Sequence, residues 1–207
     1  MSITEHWSRI TEWCVENAPL TAQSIAGPAG RAEIDSAQAA TGAEWPDELR
    51  ELFLVQNGAR THTDSGQFLG SVLPDKFMLS LEDALERRSL MLEVWEDLVA
   101  ADPDFYEPDA IARCEAQEAG TTAYMYLPSF VVFASLDDYH YFVDTRAGSR
   151  RGCVTEYAHE AVDERGPRWD SISDLLAELA SSLEQGTPFE SWEPGVVDGA
   201  LRWTFRA

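Results

Sequence analysis

The chain has 207 residues, 44% of them hydrophobic and 11% aromatic, enough to bury a core as one large domain or two small ones. Fifteen Lys and Arg stand against 37 Asp and Glu, a formal net charge of −22, which repels phosphates and sets aside direct nucleic-acid binding. No apolar run approaches the roughly 20 residues that a membrane-spanning helix needs, and MSITEHWSRITEW has neither a basic start nor an apolar stretch after it. The expectation is an unprocessed cytoplasmic protein with no membrane insertion.

In chain order, Thr4 to Asn17 predicts a helix whose stripe holds Trp7, Ile10 and Val15, broadened by Trp13 and Cys14. AGRAEIDSAQAATG predicts a short alanine-rich helix stopped by Gly42. In EWPDELRELFLVQNGAR, Glu44 to Arg60, Pro46 suits a first helical turn and Leu49, Leu52 and Phe53 share one face. Gln56-Asn57-Gly58 reads as its terminator, with Gly58 left-handed. A loop and a brief strand around Phe68 to Leu73 follow. Ser80 and Asp83 open a long helix whose wide face, Leu81, Leu85, Leu92, Val94, Trp95, Leu98 and Val99, reads as core.

The segment from Ala101 to Thr122, with two prolines and many acids, reads as an exposed excursion with one turn of helix. From Ala123 the aromatic and β-branched run YMYLPSFVVFASLDDYHYFVDTRAGSRRGCVTEYAHE predicts an antiparallel meander. SISDLLAELASSLEQG returns to helix, capped by Ser171 or Ser173 and stopped by Gly186, and LRWTFRA adds an edge strand. This order predicts a single α+β domain, a central antiparallel sheet packed with helices.

Chemistry is sought and not found. His62, Asp64 and Ser65 lie in a loop without the strand-turn-helix context of a nucleophile elbow. His140 and Asp144 share a strand face but sit roughly 13 Å apart along it, too far to pair. Asp137-Asp138 lacks the spaced oxygen ligands of a calcium loop and reads as a turn. The glycines of GSRRG lack the strand-to-helix setting of a phosphate cradle. His6 and His159 have no second ligand nearby, and Cys14, Cys114 and Cys153 lack CxxC spacing, which predicts free thiols. No catalytic residue, metal or cofactor is expected.

The order EWPDELRELFLVQNGA, FMLSLEDALERRSLM, YLPSFVVFASLDDYHYFVDTRAGSRRGCVTEY, SISDLLAELASSLEQG resembles the SUKH superfamily, in its Smi/Knr-like branch of fungal cell-wall assembly regulators and bacterial toxin-immunity proteins. Pro46, Asn57, Gly58, Leu81, Glu82, Pro128, Asp144, Gly148, Gly152 and Val154 fill the family's places. The resemblance covers about 29–186, after the opening helix at about 4–17, and leaves a C-terminal extension at about 187–207. The acidic segment Asp97 to Gly120 is longer than a compact member requires.

What the resemblance implies is an α+β fold and protein binding rather than catalysis. The expected role is an immunity protein neutralising a cognate secreted toxin that is basic, with a nuclease as one candidate. A cell-wall-regulator type of interaction module is the alternative, and a hydrolase using His62 or His140 ranks third. The acidity itself reads as a device for solubility or as a field that steers in a basic partner. Asp102, Asp104, Phe105, Tyr106, Glu107 and Asp109 are the expected protein-binding residues, because aromatics interleaved with acids offer anchors and steering. Oligomeric state is left open.

Overall fold

Four helices precede the sheet. In α1 (Ile3–Asn17) the Ser2 hydroxyl accepts from Glu5 N at 3.2 Å while the Glu5 carboxylate accepts from Ser2 N at 2.7 Å, a reciprocal cap. Ile3, Trp7, Ile10 and Cys14 form its buried stripe. Val15, expected on that stripe, is 65% exposed because it falls outside the i, i+4, i+7, i+11 series. After the single turn α2 (Pro19–Ala22), α3 (Arg31–Thr41) closes on left-handed Gly42, as the sequence predicts. In α4 (Asp47–Val55), Leu49, Leu52 and Phe53 are fully buried behind Pro46. The structure is a computed structural model and describes residues 1–103, 107, 109–158 and 161–206.

The end of α4 differs from expectation. Gln56 is extended and Gly58, at φ +104, does not close the helix. A Cβ on Gly58 would stand 3.1 Å from Ser80 N, so the glycine instead lets the chain pass against the start of the next helix. The strand expected near Phe68 to Leu73 is likewise absent. Only isolated bridges, His62 with Phe68 and Leu73 with Lys76, form there. Gly66 and Gly70 have positive φ and break the extended run, and Gly70 lies where a Cβ would meet the Thr21 hydroxyl and the Leu201 carbonyl.

A five-stranded antiparallel meander follows in the order β1 (Phe77–Met78), β2 (Phe130–Leu136), β3 (Tyr139–Asp144), β4 (Val154–Tyr157), β5 (Pro167–Trp169). Asp137, at φ +50, makes the β2–β3 turn that Asp137-Asp138 predicts. One sheet face, with Val131, Tyr141, Val143, Val154 and Trp169, belongs to the main core, together with α1, α4 and α7 (Ile172–Gln185). Ser171 caps α7 and left-handed Gly186 ends it. The other face, with Phe130, Val132 and Phe142, packs with Tyr126 and Leu127 in a second, smaller core.

The tail does not extend this sheet. β7 (Ala200–Phe205) pairs with β6 (Trp192–Val197) in a separate hairpin, anchored by Leu201 N donating to the Thr21 hydroxyl at 2.8 Å. Its inner residue Leu201 enters the main core beside Phe189. Seven helices and two antiparallel sheets make this an α+β protein, α5 (Leu81–Ala101) and α6 (Ala110–Glu115) completing the set among the described residues.

Candidate partner-binding surface

Helix α5 begins inside the protein and ends outside it. The Ser80 hydroxyl accepts from Asp83 N at 3.1 Å, and the Asn57 side-chain oxygen accepts from Leu81 N at 2.8 Å, so the first turn is doubly capped. Leu81 and Ala84 are buried there. Arg88 then fixes the middle of the helix, donating to the Pro128 carbonyl at 2.8 Å and the Thr41 carbonyl at 3.0 Å. Beyond Arg88, Met91 and Leu92 pack on the second core among the described residues.

Leu90, Val94 and Leu98 are 47%, 48% and 38% exposed. The expectation that Val94 and Leu98 are core residues is therefore corrected, and Trp95 and Val99 are only half-buried. The reason is length. Twenty-one helical residues span about 31 Å and the six or seven residues of a central strand about 20 to 23 Å, so the helix outruns the sheet. The second core beneath it is occupied by Tyr126, Leu127 and Ile111 instead.

The same stretch is acidic. Glu93, Glu96 and Asp97 are exposed, no base occupies the last turn, and Asp102 is the C-cap residue. Of the expected binding residues, Asp102, Glu107 and Asp109 are exposed, Glu107 pairing with Arg113 and Asp109 preceding α6 without capping it. Asp104, Phe105 and Tyr106, like His159, lie outside the described residues.

The base of this excursion is held by buried charge. Arg146 pairs with Asp144 at 2.7 Å and donates to the carbonyls of Cys114 at 2.9 Å and Thr121 at 2.6 Å, while Asp144 accepts from Gly120 N at 2.8 Å. Asp163 accepts from Ala123 N and Tyr124 N, both at 2.7 Å, and burial still pushes its carboxyl upward. Asp144, one of the positions carried by the resemblance, is thus a fastener between the sheet and the segment after α6.

Sequence reasoning missed a second charged group. Lys76, the chain's one lysine, has a side chain with no exposed surface; its amine meets Glu156 at 2.7 Å, Asp75 at 3.2 Å and the face of Tyr141 at 4.3 Å. Arg168 joins Glu156 at 2.8 Å and also pairs with Glu190. Burial raises the carboxyls of Asp75 and Glu190. Asp75, Glu156, Arg168 and Glu190 line a cavity of about 180 Å³ together with Tyr139 and Trp192. Lys76 and Glu156 join the residue before β1 to β4 across 80 positions, a separation no local pattern reveals, and Arg168 with Glu190 ties β5 to the segment that leads into the C-terminal hairpin.

The remaining chemical candidates have structural partners. His140 is fully buried on β3, its Nδ1 2.9 Å from the Ser135 hydroxyl, and burial holds its pKa down at about 4. His62 bonds its neighbour Thr61 at 3.0 Å and packs on Phe68. His6 lies 3.3 Å from an Arg9 nitrogen. The three cysteines are free, and burial pushes the Cys14 and Cys153 thiols up to about 12, where neither is a nucleophile at neutral pH. Among the described residues no group of three or more His, Cys, Asp or Glu is placed to hold a metal, and no helix is long and apolar enough to cross a membrane.

The model of the SMI1 / KNR4 family (SUKH-1) matches residues 28–178, from the approach to α3 into α7. The chain belongs to the SMI1 / KNR4 family. No curated protein matches it. The matched span contains Asn57, Gly58, Asp144 and the whole five-stranded sheet. The C-terminal hairpin lies beyond the SMI1 / KNR4 match.

Proposed function

We propose that this protein is a cytoplasmic, non-catalytic immunity protein that binds and occludes a basic secreted toxin. The observation that carries the reading is the net charge of −22 on an SMI1 / KNR4 scaffold, a family consistent with immunity proteins and with regulators of the cell-wall type. An acidic surface accelerates encounter with a basic partner and pairs with it on contact. A nuclease fits this demand, because a cleft built for phosphates is basic. The positions of the histidines support binding over catalysis: His140 is sealed in the sheet and His62 serves its own loop. The proposed contact residues are Asp102, Asp104, Phe105, Tyr106, Glu107 and Asp109.

The test is co-expression with the product of an adjacent gene whose C-terminal domain is toxic. Rescue of growth, with a stable complex whose association slows as salt rises, is the expected result. Absence of rescue by every adjacent candidate would leave the regulatory module as the better reading. A metal-dependent activity that disappears in His62→Ala or His140→Ala would make the protein an enzyme.

A further inference from the structure

We infer that the outer half of α5, from Leu90 to Ala101, is the docking rail for a basic partner surface with an apolar centre. The inference rests on the protein-binding reading and adds where the partner sits. Two separate costs meet on this stretch. Leu90, Val94 and Leu98, at i, i+4 and i+8, form one solvent-facing ridge. Other exposed apolar side chains, such as Val15 on α1, Tyr124 and the Val196-Val197 pair at the hairpin tip, do not form a helical ridge.

The second cost is electrostatic. The C-terminal end of a helix carries partial negative charge and is stabilised by cations. Here the last turn has no base, and Asp97 and the C-cap Asp102 add negative charge to it. Glu93, Glu96 and Asp97 have no ion pair among the described residues, whereas Glu184 is held by Arg9 at 2.6 Å and Glu156 by Lys76 and Arg168. A partner that lays an apolar strip on the ridge and Lys or Arg along its margins removes both costs at once.

Charge selects among occupants. A second copy would bring one acidic helix end against another, between chains each carrying −22, and like charges at an interface oppose association. A basic partner is complementary on both counts.

The probe is a synthetic amphipathic helical peptide of leucine and lysine, fluorescently labelled, titrated with the full chain, with a leucine–glutamate peptide as control. The lysine peptide is expected to bind and the glutamate peptide to fail. Replacing Leu90, Val94 and Leu98 together with Ser should raise Kd at least about tenfold, while Val196→Ser with Val197→Ser leaves it unchanged; thermal melting of each variant checks that folding is intact. Glu93→Gln, Glu96→Gln and Asp97→Asn together should flatten the salt dependence. Equal affinity in wild type and the triple Ser variant would overturn the rail, since the peptide would then follow charge alone. So would concentration-dependent dimerisation at high salt that the triple Ser variant abolishes, which assigns the ridge to a second copy. If a toxin is rescued and bound equally well by the triple Ser variant, the immunity reading stands and the rail falls. If the lysine peptide binds the ridge as expected but no toxin is neutralised, the rail stands and the immunity reading falls.

Discussion

The side-chain oxygen of Asn57 accepts the backbone N–H of Leu81 at 2.8 Å, so the loop that leaves α4 caps the helix that begins 24 residues later. Gly58 makes the approach possible by running within a Cβ's contact of Ser80. Asn57→Ala is expected to cost about 1 kcal/mol, the usual value of a lost helix cap. Gly58→Ala should cost more than the cap, because it adds a Cβ at positive φ against the Ser80 backbone. Urea unfolding of the two variants checks both, and a Gly58→Ala protein as stable as wild type would contradict the close approach.

Phe53 has no exposed surface and its ring lies 5.8 Å from that of Trp45. Phe53→Ala should therefore destabilise by roughly 3 to 5 kcal/mol, through lost transfer energy and the cavity left behind. A folded, fully stable variant that had lost its partner would instead make this helix face a binding site.

His140 gives the stability a pH dependence with a definite sign. Its folded pKa of about 4 lies below the ordinary 6.5 because burial, and next the nearby Arg87, oppose the charged ring. Between these values the unfolded chain binds the proton and the folded one does not, so the neutral-ring contribution is present above pH 6.5 and lost as pH falls toward 4. The full difference is on the order of 3 kcal/mol. Unfolding measured across this window for wild type and His140→Gln isolates it from the carboxyls. Parallel pH profiles would show that the ring is not held neutral by the fold.

The Asp144–Arg146 pair is nearly inaccessible, with side chains 2% and 1% exposed. Arg146→Met leaves Asp144 buried without its main partner and frees the carbonyls of Cys114 and Thr121, so a loss of about 3 to 5 kcal/mol is expected. Hydrogen exchange should quicken first in 110–121. Uniform change across the chain would argue against a local fastener.

Association should respond to the acids after α5 with little effect on folding. Replacing Asp102, Asp104, Glu107 and Asp109 with Ser or Asn is expected to slow binding to the cognate toxin at low salt, with the melting temperature almost unmoved. The exposed Glu107–Arg113 pair it breaks contributes about 0 to 1 kcal/mol. Unaltered association kinetics would remove these residues from the contact surface.

How much of this was legible depends on whether the deciding interaction was local. The helix over 4–17, the stop at Gly42, the Ser80 and Ser171 caps and the Asp137 turn are set by residues a few positions apart, and each is present as the sequence predicts. Gly58 had the expected positive φ for a different cause, since the contact that demands it comes from Ser80. Periodicity placed Val94 and Leu98 on an apolar face but could not say what that face meets, because the sheet's length is decided elsewhere in the chain. The tail was legible as strand, and its partner was not, since Trp192 to Val197 carries Pro194 and Gly195 in a run that lacks clean alternation. Nothing local joins Lys76 to Glu156.

The burial of Lys76 also fixes what an electrophile can reach. With the chain's one lysine sealed between Glu156, Asp75 and Tyr141, its folded form offers no side-chain amine to acylating reagents or to enzymes that attach tags through isopeptide bonds. An amine-reactive dye should therefore spare Lys76 in the native protein and modify it only after unfolding. Its labelling becomes a count of molecules that have opened.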